Sequence, residues 1–343
     1  MGLLRAILLS LPLLCSSASS HLQPTIGSTV SLPTQTEVAQ VNPDLLSLPE
    51  SRDQSQPTAP TTVISNREST PSTPAPKPSP SLPAPSSPAS SPPPALPVPP
   101  KSLATVPIRI GITNATTQVQ LSSSTAAVIM DAQGNQISAL PAQTSTLIQP
   151  GSSNLNVGNL SFPNEIWIKP SAEGLVAVNG RWYRGSIQIV LDQQRLVTVN
   201  HLDLESYLYS VVGAEMSASW PLEALKAQAI AARSYALARL SSNRASPYYD
   251  LGDTPRWQAY RGVETEANTT HQAVNSTQGL LVSYQGGVVE TLYASTEHLV
   301  STVHKGYGMS QNSARDLAYN QLNYQQILNH FYPGTTLAWL QAS

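Results

Sequence analysis

The chain has a single cysteine among its 343 residues, Cys15. A lone thiol so close to the start leaves no internal disulfide framework and no cysteine-built zinc site to expect. Charge is scarce as well, with 18 Lys and Arg against 20 Asp and Glu for a formal net charge of -2. Without a basic field the chain has little with which to displace counterions from nucleic acid or to hold an anionic membrane surface, so both partners are disfavoured. Phenylalanine is nearly missing, at 2 residues, whereas Tyr reaches 13 and Trp 5. Rings with a polar handle suit half-buried strand positions and also surfaces that stack on sugars. No phosphate-binding loop, nucleophile elbow, His-rich metal spacing or internal repeat occurs, so neither a metal nor a cofactor is expected.

The first residues read as a signal peptide over 1–20: Arg5, an apolar stretch from Ala6 to Leu14, then Ser16, Ser17, Ala18, Ser19 and Ser20. The apolar stretch falls far short of the roughly 20 residues of a spanning helix, so the expectation is export to the periplasm or cell wall without a transmembrane anchor. Cys15 follows Leu14, whereas lipoprotein processing wants a small residue there, which makes lipidation the less favoured route. Residues 21–103 form a Pro/Ser/Thr-rich segment in which 14 of the 30 residues from Pro71 to Pro100 are proline. That density excludes helix and central strand and favours a disordered, extended spacer, either a tether or a tail without a partner.

Order is expected over 104–343. Val106, Ile108, Ile110 and Ile112 alternate with Pro107, Arg109 and Gly111, the period of a half-buried strand. Further strands are expected at 127–131, 166–169, 175–178, 186–191 and 196–200, with Asn179-Gly180 as a hairpin turn. From Leu202 the period changes to that of a helix. A long helix should follow from Pro221 to Leu240, with Pro221 in its first turn, an apolar stripe through Leu222, Leu225, Ala229, Ala232, Ala236 and Leu240, and Lys226 and Arg233 on another side. Residues 279–284 and 288–293 read as a strand pair around Gln285-Gly286-Gly287, and 313–329 as a last helix before Pro333-Gly334. The fold class is therefore α+β: a β-rich first half packed against a helical core and a further strand pair.

The informative stretch is Val199 to Leu240, VNHLDLESYLYSVVGAEMSASWPLEALKAQAIAARSYALARL. With Gly306-Tyr307-Gly308-Met309-Ser310-Gln311 and weaker echoes at Val178 to Gly185 and Ile327 to Thr335, it resembles the SpoIID/LytB family over about 105–337. The resemblance implies a lytic transglycosylase that cuts peptide-stripped peptidoglycan, with Glu215 as catalytic acid and with Lys226, Gln228, Arg233, Tyr293, Ser295, Ser310 and Gln311 binding substrate. The LytB branch implies an alternative, a non-catalytic glycan binder that enhances a cell-wall amidase. The chemistry behind Glu215 stands apart from the name, since a carboxyl kept partly dry beside Met216 and Trp220 can stay protonated and donate to a glycosidic oxygen. Asp203, Glu205 and Glu223 remain open as a second carboxyl. The sequence departs from the family between Ser295 and Gly306, where several tens of residues are missing and His304-Lys305-Gly306 replaces the usual Gly-His-Gly.

Overall fold

The computed structural model describes Val98, Pro100, residues 102–242 and residues 246–341. The expected signal peptide, Cys15 and nearly all of the proline-rich segment lie outside those residues.

The β-rich half contains β1 (Pro107–Thr116), β2 (Val119–Ser123), β3 (Ala127–Met130), β4 (Gln136–Leu140), β5 (Thr146–Pro150), β6 (Leu155–Val157), β7 (Leu160–Phe162), β8 (Glu165–Pro170), β9 (Val176–Val178), β10 (Arg181–Tyr183), β11 (Ser186–Asp192) and β12 (Arg195–Asp203). A later two-residue strand, β13 (Leu251–Gly252), joins the edge of the first of two sheets, whose order is β13-β1-β12-β11-β8-β3-β4; the second runs β10-β9-β2-β5-β6-β7. Alternation decides which residues face inward: Ile108 and Ile110, Ile166 and Ile168, and Ile187 and Ile189 are buried, and they share one core with Val119, Leu121, Ile148 and Val176 of the second sheet. The Asn179-Gly180 turn is present as expected, with φ of 51° and 86° joining β9 to β10.

Strand β12 passes directly into α1 (Leu204–Glu215), because Asp203 ends the strand and caps the helix, its carboxylate accepting from Ser206 N at 3.0 Å. After a short turn the chain returns as α2 (Leu222–Ser241). An apolar stripe with Lys226 and Arg233 on another side was expected here, but α2 is buried almost all round, Ala224, Leu225 and every residue from Ala227 to Leu237 included. Its alanines allow close approach from every side. Packed around it are α1, α3 (Asn268–Ser276), β14 (Leu280–Tyr284) and two further helices.

Two expected elements differ. The strand pair forms at Gln285-Gly286, but its second member, β15 (Gly287–Val288), stops early, and β16 (Tyr293–Ala294) pairs in parallel with β17 (Met309–Ser310) instead. The last helix is two, α5 (Gln311–Tyr319) and α6 (Tyr324–Phe331). Gln321 adopts a φ of 67°, and Asn323 starts α6 afresh through a reciprocal cap with Gln326. Between β16 and β17 the shortened segment folds as α4 (Glu297–Val303), and β18 (Thr336–Trp339) closes against β14. The fold is α+β, as the sequence indicates. Among the described residues no helix is long and apolar enough to cross a membrane.

Candidate active site

Glu215 is the last residue of α1, and its carboxyl is half-buried and held from two directions. The backbone N–H of Ala259 donates to Oε1 at 2.8 Å, and the side-chain amide of Gln311 donates to Oε2 at 3.1 Å. Burial raises the Glu215 pKa above the ordinary carboxyl value, outweighing these two bonds, which favour the charged form. The carbonyl end of α1 also disfavours negative charge there. No other carboxyl contributes to the shift.

Behind Glu215 lies a layer of tyrosines. Tyr207 donates its hydroxyl to Gln258 Oε1 at 3.0 Å, and Gln258 Nε2 donates to the Tyr293 hydroxyl at 2.8 Å and to Ala232 O at 3.1 Å. Gln258 is fully buried. These bonds fix the 258–259 backbone that presents the Ala259 N–H. Burial pushes the Tyr207 and Tyr293 hydroxyls well above their ordinary pKa, with the nearby Glu215 charge adding to it. Both stay neutral.

The structure draws some of the expected site residues together and separates others. Gln311 touches Glu215; Ser310 beside it is buried and caps α5, accepting from Ser313 N at 3.3 Å. Tyr293 and Ala294 pair with Met309 and Ser310, which brings Tyr293 to the same wall. Ser295 is exposed, and its carbonyl accepts from Asn312 N at 3.1 Å. Gln228 is fully buried on α2, and neither atom of its amide has a hydrogen-bond partner, an uncommon state for a buried polar group. Lys226 is half-buried, paired with Glu223 at 2.8 Å and 5.7 Å from the centre of the Tyr324 ring.

Arg233 lies elsewhere. It has no exposure, and its guanidinium donates to both Glu205 oxygens at 2.8 and 2.6 Å and to Leu280 O at 2.9 Å. Glu205 sits ten residues before Glu215 on α1, roughly 15 Å along the axis at 1.5 Å per residue. Arg233 therefore ties α2 to α1 and β14 and does not face the Glu215 carboxyl.

The three carboxylates left open as second acids are also committed. Asp203 caps α1 and Glu205 holds Arg233, both at the far end of that helix; Glu223 binds Lys226 and accepts from Tyr324 N at 2.9 Å. A pocket of about 310 Å³ opens at that far end of α1, lined in part by Lys169, Arg184, His201 and Asp203; of the residues singled out in the sequence it includes Asp203 alone. Gln258 and Ala259 escaped the sequence reading. Ala259 acts through its backbone, which has no sequence signature, and Gln258 falls outside the recognisable motifs.

The model of the stage II sporulation protein (SpoIID) family matches residues 192–284, which takes in α1, α2 and Glu215. The chain carries a domain of the SpoIID/LytB family. An uncharacterized protein of Brachyspira hyodysenteriae is 33% identical over 46% of this chain and 43% of its own length. The amidase enhancer of Bacillus subtilis is 30% identical over 42% of this chain and 20% of its own length. Stage II sporulation protein D of Bacillus subtilis is 35% identical over 29% of this chain and 34% of its own length. The chain thus spans less than half the length of these curated relatives. Gln311, which fixes the SpoIID/LytB carboxyl Glu215, lies beyond the matched span.

Proposed function

We propose that this chain is exported to the periplasm or cell wall and acts there as a lytic transglycosylase on peptide-stripped peptidoglycan glycan. The observation that carries the reading is Glu215: a carboxyl open to one side, with its proton affinity raised by burial, and clamped by Ala259 and Gln311. Its proton passes to the glycosidic oxygen as the bond from that oxygen to the anomeric carbon breaks. The C6 hydroxyl of the same sugar then attacks the anomeric carbon, forming the 1,6-anhydro ring, and returns its proton to Glu215. One carboxyl suffices for both transfers. A hydrolase would need a second carboxyl about 5 to 9.5 Å away to attack or to activate water, and Asp203, Glu205 and Glu223 have other partners. Ser310, Gln228 and Tyr293 belong to this site as wall residues, Lys226 and Ser295 as flanking ones, and no cofactor is needed.

The test is incubation of the full chain with amidase-stripped glycan strands, followed by mass spectrometry. The expected product carries 1,6-anhydro ends and disappears in Glu215→Gln. Products with reducing ends would show hydrolysis and sink the single-carboxyl scheme.

The similarity to an amidase enhancer supports a second reading, a glycan-binding module that stimulates a partner amidase without cutting. It predicts glycan capture that survives Glu215→Gln, with no product from either form.

A further inference from the structure

The turn after Glu215 lies against two successive turns of α5. Gln311 reaches Glu215 at 3.1 Å, and four residues on, the Arg315 guanidinium carbon stands 5.0 Å from the centre of the Trp220 ring. Positions i and i+4 of a helix share a face and lie about 6 Å apart along the axis. That step is close to the length of one pyranose ring, so whatever rests on the Trp220–Arg315 pair is one sugar unit from the proton donor.

The pair is half-open. Trp220 is partly buried against the core, and the Arg315 side chain is 31% exposed. Nε and Nη2 of Arg315 meet Asp316 Oδ1 at 2.8 and 2.7 Å, while Nη1 donates to no acceptor among the described residues. Asp316 is itself 59% exposed, and an ion pair that open contributes little, so another carboxylate can take its place. The indole face fixes the plane of the guanidinium and leaves its edge for a planar, two-oxygen acceptor.

We propose that Trp220 and Arg315 form a subsite for a carboxylate-bearing sugar next to Glu215, a step that rests on the glycan reading above. In peptidoglycan that sugar is N-acetylmuramic acid. Its lactyl group is an amide while the stem peptide is attached and becomes a carboxylate when the peptide is removed. A guanidinium distinguishes the two by charge and by the pair of equivalent oxygens. Arg315 thus makes the site sensitive to the prior removal of the peptide, and the indole supplies the apolar floor under the ring.

The experiment uses the full chain with Glu215→Gln, so that strands are bound without turnover. Dissociation constants are measured for peptide-stripped strands and for the same strands with the lactyl carboxyls converted to methyl amides. The neutral strands are expected to bind roughly tenfold more weakly. Adding Arg315→Gln should lower affinity for stripped strands to the level of the neutral ones and leave the neutral ones unchanged, with Arg315→Lys in between. Equal binding of both strands by the Arg315 form overturns the subsite while leaving the glycan reading intact, and so does discrimination that persists in Arg315→Gln. Binding of neither strand overturns both. The chemically altered strands test the idea without touching the fold.

Discussion

Gln311 and Glu215, 96 positions apart in the chain, are joined by a 3.1 Å hydrogen bond from the Gln311 amide to one oxygen of the carboxyl. The bond links the start of α5 to the end of α1, so the placement of the carboxyl depends on a segment beyond the strongest motif. It also favours the carboxylate and so restrains the upward shift that burial imposes. In Gln311→Leu that restraint is gone. The Glu215 pKa is expected to rise further, moving the alkaline limb of the pH–rate profile to higher pH, while looser positioning lowers kcat about tenfold. A profile of turnover against pH for the two forms decides it, and an unmoved limb would count against the bond.

Burial of the same carboxyl has a consequence for stability. Because its folded pKa is raised, the native state binds the proton more tightly than the unfolded chain does. The stabilisation from that proton is complete below the ordinary carboxyl range and is lost as pH rises through the raised value. Glu215→Gln removes the charge, so its Tm should exceed that of the wild type at pH 7, and the gap should close as pH falls toward 4. Thermal unfolding across that range checks it; a wild type that is the more stable form at pH 7 would mean the carboxylate is well solvated.

Arg233 and Glu205 offer a contrast between structure and function. The guanidinium is fully enclosed and Glu205 is 17% exposed, so truncating either leaves a charge without its partner in a dry place. Arg233→Ala is expected to cost about 3 to 5 kcal/mol in urea unfolding, whereas Arg233→Met combined with Glu205→Leu should recover most of it. Recovery of turnover along with stability in the double variant marks the pair as structural. Turnover that stays absent after stability returns would give Arg233 a role at the substrate.

Much of this was legible beforehand, for identifiable reasons. Ile108, Ile110, Ile187 and Ile189 alternate because their strands bury one face, and Asn179-Gly180 can form its turn because both positions take positive φ. The short strands β2 and β4 to β7 escaped because residues such as Gln120, Gln136 and Asn156 leave little apolar alternation. The partners of Arg233 were hidden for a different cause: its spacing from Lys226 fixes the side of the helix and says nothing of what packs there. Helical period also ran α5 and α6 together, since the break at Gln321 rests on one backbone angle. The site was half legible: Glu215 and Gln311 stand in motifs, but the Ala259 donor is set by Gln258 and the tyrosine layer, contacts that only the folded chain makes.

Gly213 sets the distance between α1 and the segment that supplies that donor. It lies in the last turn of α1, and a Cβ built on it would run into the Thr265 carbonyl oxygen, a backbone atom that cannot swing aside. The 262–265 turn is clipped to the same stretch of α1: Thr265 Oγ1 donates to Ser210 O at 2.9 Å, and Arg261 N donates to Ser210 Oγ at 3.1 Å. Helix propensity alone would make Gly213→Ala stabilising by roughly 0.8 to 1 kcal/mol. The contact predicts the opposite sign, a loss of about 1 to 3 kcal/mol, because α1 and the turn must move apart. Ala259 lies three residues before Gly262, the first residue of that turn, so its bond to Glu215 should lengthen and turnover fall by roughly a hundredfold. Urea unfolding gives the sign of the stability change, and the 1,6-anhydro product assay gives the rate. An alanine form more stable than the wild type and equally active would show that the glycine serves neither the packing nor the carboxyl.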